Sequence, residues 1–474
     1  MLSVTSAFCK IQRGKALQKF LCENSFGVAD DRSGPSPRFR GPDVCCATMT
    51  REAGCLERRR DHSPEANPDR RPVRSPELDL LLLCARWPRR AEDRRLIEDG
   101  ANRELDWQRF LLLAQHHRLV PQVAHALQVC QMDSSSAEAQ VVFGELRRLS
   151  AVNAHQALRS LAELRRVVTE LEKHKVPVRV LKGLPLAQSV FGDLSLRACG
   201  DLDLLIDEAG ILEADRILRG FGYRGLFQVE RFTPKRLSFY RSHWKDLAYE
   251  NPATGLEVDL HWRCFRNREM PGNGLCATAE QESVCFGGFQ VETLPRMESL
   301  LYLCVHGTLD GWLYFKSLVD VAAQVRDMTE LELDALATLA AGYGVLPELT
   351  AALTLVRRYL SMDQWSALLL PQSDPTVEHI LRYADHALVR GDYLADRDAI
   401  PIAATMAFEL GLRSNFRYRF ELLLRVLFRA RMWETIPLPD YLFGIYPLLS
   451  PFEWAIYRLR QWLAKPPSTA ALTI

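Results

Sequence analysis

One short segment, CGDLDLLID at residues 199–207, limits the possible fold more than any other part of the chain. In an extended strand successive side chains point to opposite faces, so Asp201 and Asp203 share one face. The other face is apolar and carries Leu202, Leu204 and Ile206. The segment therefore predicts a strand with a buried back and an acidic front. Because neighbouring carboxylates repel each other unless a cation or proton lies between them, a divalent ion is the first hypothesis. A solvated strand end is the alternative.

A second segment, EVDLHWR at 257–263, repeats this alternation. Its polar face carries Glu257, Asp259, His261 and Arg263, and its apolar face carries Val258, Leu260 and Trp262. If the two strands are neighbours in one sheet, Asp259 can join Asp201 and Asp203 in a cage of three carboxylates. Such a cage suits Mg²⁺, which prefers oxygen ligands and commonly bridges the phosphates of a nucleotide. The alternative is an amphipathic sheet whose polar face meets only water.

The chain around these strands is mainly helical in pattern. Apolar residues recur every three or four positions from about Ala137 to the KHKVP segment, which predicts one long helix. Two short helices are predicted within 105–128, on either side of a loop before Pro121, with His116 and His117 at the end of the first. Beyond Leu294 the pattern is helical again, and 296–325 predicts one long or broken helix.

Strand and loop patterns are confined to the middle of the chain. VPVRVLKG at 176–183 predicts a short strand that stops at a glycine, and 243–264 predicts a hairpin with its turn at 251–255. We therefore predict an α+β fold in which a small mixed sheet is embedded in a largely α-helical protein. The predicted regions are a helical region at 76–173, a catalytic core at 174–294 and a second helical region at 295–474.

Residues 1–75 differ from the rest, since they mix arginine clusters with proline and serine and show little apolar periodicity. They are predicted to be a disordered extension.

The net charge of +1 for the whole chain favours no nucleic-acid partner. The 12 cysteines show neither zinc-site nor disulfide-framework spacing, and apolar stretches are too short or too interrupted to span a bilayer. The predicted compartment is the cytoplasm.

Three basic or flexible positions near the acidic strands are candidates for contacts with phosphate. Lys182 and Gly183 end the strand before the Asp-x-Asp segment, where a glycine lets backbone N–H groups approach a phosphate and a lysine adds positive charge. The alternative is an ordinary turn between a strand and a helix. Arg197 lies four residues before Asp201 and could reach a triphosphate, although an isolated arginine is more often a surface residue.

The predicted helix at 296–325 adds further candidates. Lys316 and Asp320 are four residues apart, a spacing that predicts an ion pair along one helix face. The alternative places Lys316 over the nucleotide, because helices beside catalytic sheets often contribute a cation. His306 is predicted to be a packed or capping histidine rather than a catalytic base.

Together these motifs resemble a known superfamily. A glycine-bearing strand end, an Asp-x-Asp strand and a later strand with one more carboxylate are similar to the DNA polymerase β-type nucleotidyltransferases. More narrowly, VLKGLPLAQSVFGDLSLRACGDLDLLI followed by EVDLHWR resembles a little-characterised bacterial family of nucleotidyltransferases, in which an arginine also precedes the Asp-x-Asp. The resemblance extends over roughly residues 76–465, with specific motifs only in 176–264.

The resemblance implies a polymerase β-like core and a two-metal Mg²⁺ site. Asp201 and Asp203 would bind both ions and Asp259 the catalytic one, while Lys182 and Gly183 would hold the triphosphate. The likeness extends weakly to Lys316 and Asp320. The implied reaction is the transfer of a nucleoside monophosphate from a nucleoside triphosphate, with ATP as the first choice, to a hydroxyl acceptor on a small molecule, sugar, protein or RNA.

Two other functions are compatible with the sequence. A metal-dependent glycosyltransferase also binds a nucleotide diphosphate through an Asp-x-Asp and a metal, but it needs a longer alternation of strands and helices before Asp201. The non-enzymatic alternative is a nucleotide-binding or interaction protein that retains a catalytically dead transferase domain.

Overall fold

The computed structural model describes residues 74–87, 89–132, 136–362, 374–389 and 402–452. Apart from its last two residues, the predicted disordered extension at 1–75 lies outside the described residues. Those two residues belong to the fold. The Ser75 side chain accepts a hydrogen bond from the Leu78 backbone N–H and caps the first helix, and Arg74 donates to the carbonyl of Tyr359 at 3.2 Å.

Seven strands of the described chain form one mixed sheet. They are β1 Val178–Val180, β2 Asp201–Ile206, β3 Arg224–Gly225, β4 Asp246–Asn251, β5 Leu256–His261, β6 Glu282–Phe286 and β7 Phe289–Thr293. Their spatial order is β3-β4-β5-β2-β1-β7-β6. Strands β4 and β5 form the predicted antiparallel hairpin, and β2 pairs in parallel with β5 and antiparallel with β1. The two acidic strands are thus hydrogen-bonded neighbours at the centre of the sheet.

The α-helices of the described residues surround this sheet. They are α1 Pro76–Ala85, α2 Ala91–Ala101, α3 Trp107–His116, α4 Val120–Val129, α5 Ala137–Lys173, α6 Ile211–Gly220, α7 Pro234–His243, α8 Arg296–Leu309, α9 Phe315–Val325, α10 Glu330–Gly342, α11 Leu346–Leu360, α12 Pro375–Val389, α13 Ile402–Leu412, α14 Phe416–Leu427 and α15 Ala430–Thr435. A short helical turn at Leu184–Leu186 continues as a π-helix, Ala187–Phe191. The predicted α+β class is confirmed, as are the long helix α5 and the break between α3 and α4.

The predicted helix at 296–325 is broken into α8 and α9 by the residues between Leu309 and Phe315. Gly311 and Trp312 both adopt left-handed backbone conformations there, with φ values of 66° and 53°. The Trp312 ring packs closely on Gly307, where an added Cβ would lie only 2.6 Å from the ring. This tight turn ends α8 and separates it from α9, which carries Lys316.

The sheet has apolar packing on both faces. Leu202, Leu204 and Ile206 are buried in a cluster that includes residues of α5 and α6, which confirms the predicted buried back. Leu205, on the opposite face, joins a larger cluster formed mainly by α1–α5 and α8–α12. On this acidic face Asp203, Asp259 and His261 are buried, whereas Asp201 is only half-buried. Within the described residues, no helix is both long and apolar enough to cross a membrane.

Cys264 and Cys276 form a disulfide that joins the end of the β5 segment to a short 3₁₀ helix, Asn273–Ala277. The cysteine spacings did not indicate a disulfide framework, and this single pair was not predicted. Which cysteines pair depends on how the fold brings them together, and sequence spacing alone does not give that information.

Candidate active site

The pairing of β2 with β5 fixes the positions of the predicted acidic residues. In this parallel pair Asp203 is the Cα partner of Asp259, and Asp201 is the partner of Glu257. Paired residues on neighbouring strands project from the same face of a sheet. Asp201, Asp203 and Asp259 therefore lie on one face, the face that the alternation predicted.

A group of possible metal ligands lies where the two strands meet. Asp203, Asp259 and His261 each offer one ligand atom, and these atoms all lie within 4.8 Å of one another. All three side chains are buried. Asp201 lies one strand repeat away at the more exposed edge, with a carboxylate oxygen 3.9 Å from Nζ of Lys182. The structure thus groups two of the three predicted carboxylates with a histidine that the sequence analysis placed on this face but did not assign to the site.

Lys182 lies inside this acidic group. The backbone N–H of Leu181 donates to the Asp203 carbonyl at 3.0 Å, which extends the pairing of β1 with β2 and brings the next residue beside the Asp-x-Asp. The Lys182 ammonium donates to the Asp203 carboxylate. Burial opposes its charge, but Asp201 and Asp203 outweigh burial and raise its pKa. Burial also opposes the charge of Asp203 and so raises its pKa. The positive charge of Lys182 outweighs this effect and holds the pKa of Asp203 below its usual range. Both groups are therefore charged at neutral pH.

Gly183 and Arg197 are joined in the same region. Gly183 has a φ of 85°, a conformation that favours glycine. Arg197 donates from Nη1 to the Gly183 carbonyl at 3.2 Å and from Nε and Nη2 to the two carboxylate oxygens of Asp320, at 2.9 Å each. Both side chains of this ion pair are only 3% exposed. Arg197 would have to exchange these partners to contact a triphosphate.

Asp320 and Lys316 come from the first two turns of α9. Nζ of Lys316 lies 3.7 Å from an Asp320 carboxylate oxygen, which confirms the ion pair predicted from their spacing. Burial raises the pKa of Asp320, but Arg197 and then Lys316 lower it more, so the net shift is downward. The start of α9 is fixed by His117, whose carbonyl accepts from the Lys316 N–H at 3.3 Å and whose Nδ1 accepts from the Phe315 N–H at 3.4 Å.

His306 lies in α8. Its Nδ1 lies 3.2 Å from a carboxylate oxygen of Asp310, which caps the C-terminal end of the same helix. Its ring packs edge-on against Tyr302, with ring centroids 5.6 Å apart. These contacts confirm the prediction of a packed histidine.

A protein-family model described as "Uncharacterised nucleotidyltransferase" matches residues 103–361, more than half of the chain. The chain belongs to this family. The matched range includes every site residue described above and confirms the resemblance that the motifs indicated. No curated protein matches this nucleotidyltransferase chain. Family membership indicates nucleotidyl transfer in general terms and a nucleotide as a substrate.

His261 is the functional candidate in this chain that the sequence pattern left unassigned. Its Nε2 lies 3.2 Å from one Asp203 oxygen, and its Nδ1 lies 4.0 Å from a carboxylate oxygen of Asp246, its register partner on β4. Nδ1 is buried and has no hydrogen-bond partner. Burial, and then the charge of Lys245, lower the pKa of His261 to about 4, so its ring is neutral near pH 7.

The chemistry of this donor set fits a divalent cation. Carboxylate oxygens and a neutral imidazole nitrogen are both common metal ligands, and three of them converge here from two strands of a rigid sheet. The unpartnered Nδ1 of His261 shows that the polar interactions of the group are incomplete within the protein.

Proposed function

We propose that this protein is a divalent-metal-dependent nucleotidyltransferase that transfers a nucleoside monophosphate from a nucleoside triphosphate, ATP in the first instance, to a hydroxyl acceptor. The observation that carries the proposal is the placement of Asp203 opposite Asp259 on adjacent parallel strands, with Asp201 on the same face. We also propose that the central strands β1, β2, β4 and β5 form a polymerase β-like core. The described residues before Asp201 contain only one strand, β1, which does not supply the alternating domain that a glycosyltransferase needs.

In this proposal Asp201, Asp203 and Asp259 hold Mg²⁺, in a one- or two-ion site. When bound, the metal would supply positive charge to the phosphate oxygens and to the attacking and leaving oxygens. The protein contributes mainly position and charge, as is general for phosphoryl and nucleotidyl transfer. This division of labour explains why few residues carry the signal of the family.

The basic residues have distinct roles in this proposal. Lys182 neutralises Asp203 in the metal-free protein, and its ammonium would be free to hold the triphosphate beside Gly183 once a cation occupied the carboxylates. Arg197 is a positioning residue, because it ties the Gly183 carbonyl to Asp320. Lys316 adds a second cation at the start of α9, with its side chain 14% exposed.

We further propose that 174–294 is the catalytic core and that the helical regions at 76–173 and 295–474 complete it. Two contacts support this division. Asp320 of α9 binds Arg197 of the core, and His117 from the first helical region fixes the start of α9.

The test of this function is a labelling assay with the full chain. Cell extract is incubated with MgCl₂, the protein and each radiolabelled nucleoside triphosphate, and label transferred to any acceptor is measured. We expect label with the wild type and a loss of at least about 10³-fold in Asp203→Asn, because metal stabilisation contributes several kcal/mol. The matched control is Asp207→Asn, an exposed aspartate just after the same strand, which should label normally.

The outcomes of this assay separate the candidate functions. Equal labelling by the wild type and Asp203→Asn would overturn the assigned site. Absence of label with every nucleotide, together with Mg²⁺-dependent nucleotide binding, would favour the catalytically dead binding protein. Transfer of label from a radiolabelled nucleotide sugar in a parallel reaction, with none from the triphosphates, would favour the glycosyltransferase.

A further inference from the structure

His261 is buried at the centre of the site, and its two ring nitrogens face two different carboxylates. Nε2 faces Asp203, and Nδ1 faces Asp246. We propose that His261 is a ligand of the cation held by Asp203 and Asp259, that Asp246 orients its ring, and that the site therefore prefers Mn²⁺ to Mg²⁺. This inference rests on the metal site of the proposed function and adds to it a ligand and a metal selectivity.

The distances between the donor atoms suit ligands of one ion. Two ligands bound at about 2.1 Å lie about 3 Å apart when adjacent and about 4.2 Å apart when opposite each other. Nε2 of His261 is 3.2 Å from the nearer Asp203 oxygen, close to the adjacent spacing. The chosen atoms of Asp203, Asp259 and His261 lie within 4.8 Å of one another, so shifts of a fraction of an ångström would bring them around one cation.

The second nitrogen supports the same assignment. A neutral imidazole carries one proton, and a hydrogen bond from Nε2 to Asp203 leaves Nδ1 as a buried acceptor without a partner. If Nε2 instead binds a cation, the proton moves to Nδ1 and faces Asp246, 4.0 Å away. Metal-binding histidines almost always donate their other N–H in this way, commonly to a carboxylate, which fixes the tautomer and the ring orientation.

The ligand set determines which metal the site prefers. Mg²⁺ favours an octahedron of oxygen ligands, whereas first-row transition ions also accept imidazole nitrogen. Mn²⁺ accepts both carboxylate oxygen and imidazole nitrogen, and it can perform the same chemistry at phosphate. Because imidazole nitrogen suits Mn²⁺ better than it suits Mg²⁺, a site of two aspartates and one histidine is expected to favour Mn²⁺ over Mg²⁺ more strongly than a site of carboxylates alone.

The test uses calorimetric titration of the full chain with MnCl₂ and with MgCl₂, without nucleotide. We expect His261→Gln, which can still hydrogen-bond Asp203, to lose at least about 10-fold in Mn²⁺ affinity and less than about 3-fold in Mg²⁺ affinity. Asp246→Asn should lose about 10-fold for Mn²⁺. The matched control is His243→Gln, because this histidine stacks on Phe239 of α7 and lies outside the ligand group, so its affinities should not change.

A spectroscopic measurement tests the proposal without any substitution. Pulsed electron paramagnetic resonance of the Mn²⁺-loaded wild type should show coupling to a histidine nitrogen, and the signal should change when the histidines are isotopically labelled. Absence of nitrogen coupling overturns the inference, as do equal losses of Mn²⁺ and Mg²⁺ affinity in His261→Gln. If Asp203→Asn abolishes metal binding but His261→Gln leaves the Mn²⁺-to-Mg²⁺ ratio unchanged, only this inference fails. If the wild type binds neither metal, the proposed function fails with it.

Discussion

Lys182 supplies the positive charge beside the buried carboxylate of Asp203 in the metal-free protein. Its ammonium binds the buried Asp203 carboxylate and lies near Asp201. Lys182→Met keeps most of the apolar stem and removes only the charge. Removing one partner of a buried ion pair costs about 3–5 kcal/mol, because the other charge stays buried without compensation. We expect the free energy of unfolding in EDTA to fall by about 3 kcal/mol, at the lower end of this range because Asp203 keeps its contact with His261.

Lys316→Met provides a matched control for this variant. Both lysine side chains are 14% exposed and both lie beside a buried aspartate. Asp320 keeps its paired hydrogen bonds from Arg197 when Lys316 is removed, so the loss should stay below about 1 kcal/mol. Urea unfolding of the wild type and both variants in EDTA measures the difference. Equal losses in the two variants would refute the account of Lys182 as the counterion of the site.

The same experiment with metal adds a second comparison. A bound cation can take the place of the missing ammonium. A metal ion present at 100 times its dissociation constant raises the free energy of unfolding by about 2.7 kcal/mol. Lys182→Met should therefore regain most of its stability in MnCl₂ or MgCl₂, and it should gain more than the wild type, in which Lys182 competes for Asp203. A metal response no larger than that of the wild type would contradict this reasoning.

Three other perturbations have defined outcomes. Burial, and to a lesser extent the charge of His116, hold the pKa of His117 well below 6.5. Below pH 6.5 the unfolded chain therefore takes up a proton at this histidine that the folded chain does not. The free energy of unfolding should fall by up to about 1.4 kcal/mol for each pH unit below 6.5. His117→Asn, which can still accept from the Phe315 N–H, should reduce this slope in urea titrations below pH 6.5, and an unchanged slope would contradict the assignment. Asp320→Asn leaves the buried Arg197 without a charged partner and should lower the unfolding free energy by about 3 kcal/mol, whereas an unchanged melting temperature would show that the pair is not structural. Asp259→Asn should lower turnover by at least about 10³-fold while circular dichroism shows an unchanged fold, and normal turnover would remove Asp259 from the site.

The alternation of acidic and apolar residues was sufficient to predict the two central strands and the faces of their side chains. Strand periodicity fixes the face of every residue once one face is known to be buried. That the two strands are neighbours followed as a hypothesis, and the structure confirms it. The burial of this acidic face could not be predicted, because the covering helices come from segments far along the chain in both directions.

Other elements were missed although the sequence carried a signal. The hairpin of β6 and β7 turns at Gly287 and Gly288, and a Gly-Gly pair between alternating segments is a recognised hairpin signature. Helix α7 begins with Thr233 as its N-cap and Pro234 in its first turn, a typical helix start. In contrast, β3 has only two residues, which are too few to show the alternation of apolar and polar residues that predicts a strand.

The contacts that complete the site depend on tertiary structure. Arg197 and Asp320 are 123 residues apart, and their spacing along the chain contains no information about their pairing. The role of His261 was predictable only in part. Its place on the acidic face followed from the alternation, but its distances to Asp203 and Asp246 depend on the register of three strands.

Asp203 and Asp259 are proposed above all to bind a nucleotide through a divalent metal. Isothermal titration of the full chain with a non-hydrolysable nucleoside triphosphate, with and without MgCl₂, tests this without knowledge of the acceptor. The account predicts Mg²⁺-dependent binding to the wild type and to Asp207→Asn, and a loss of at least about 10-fold in Asp203→Asn and Asp259→Asn. Nucleotide binding that is independent of Mg²⁺, or that both site variants retain unaltered, would contradict it.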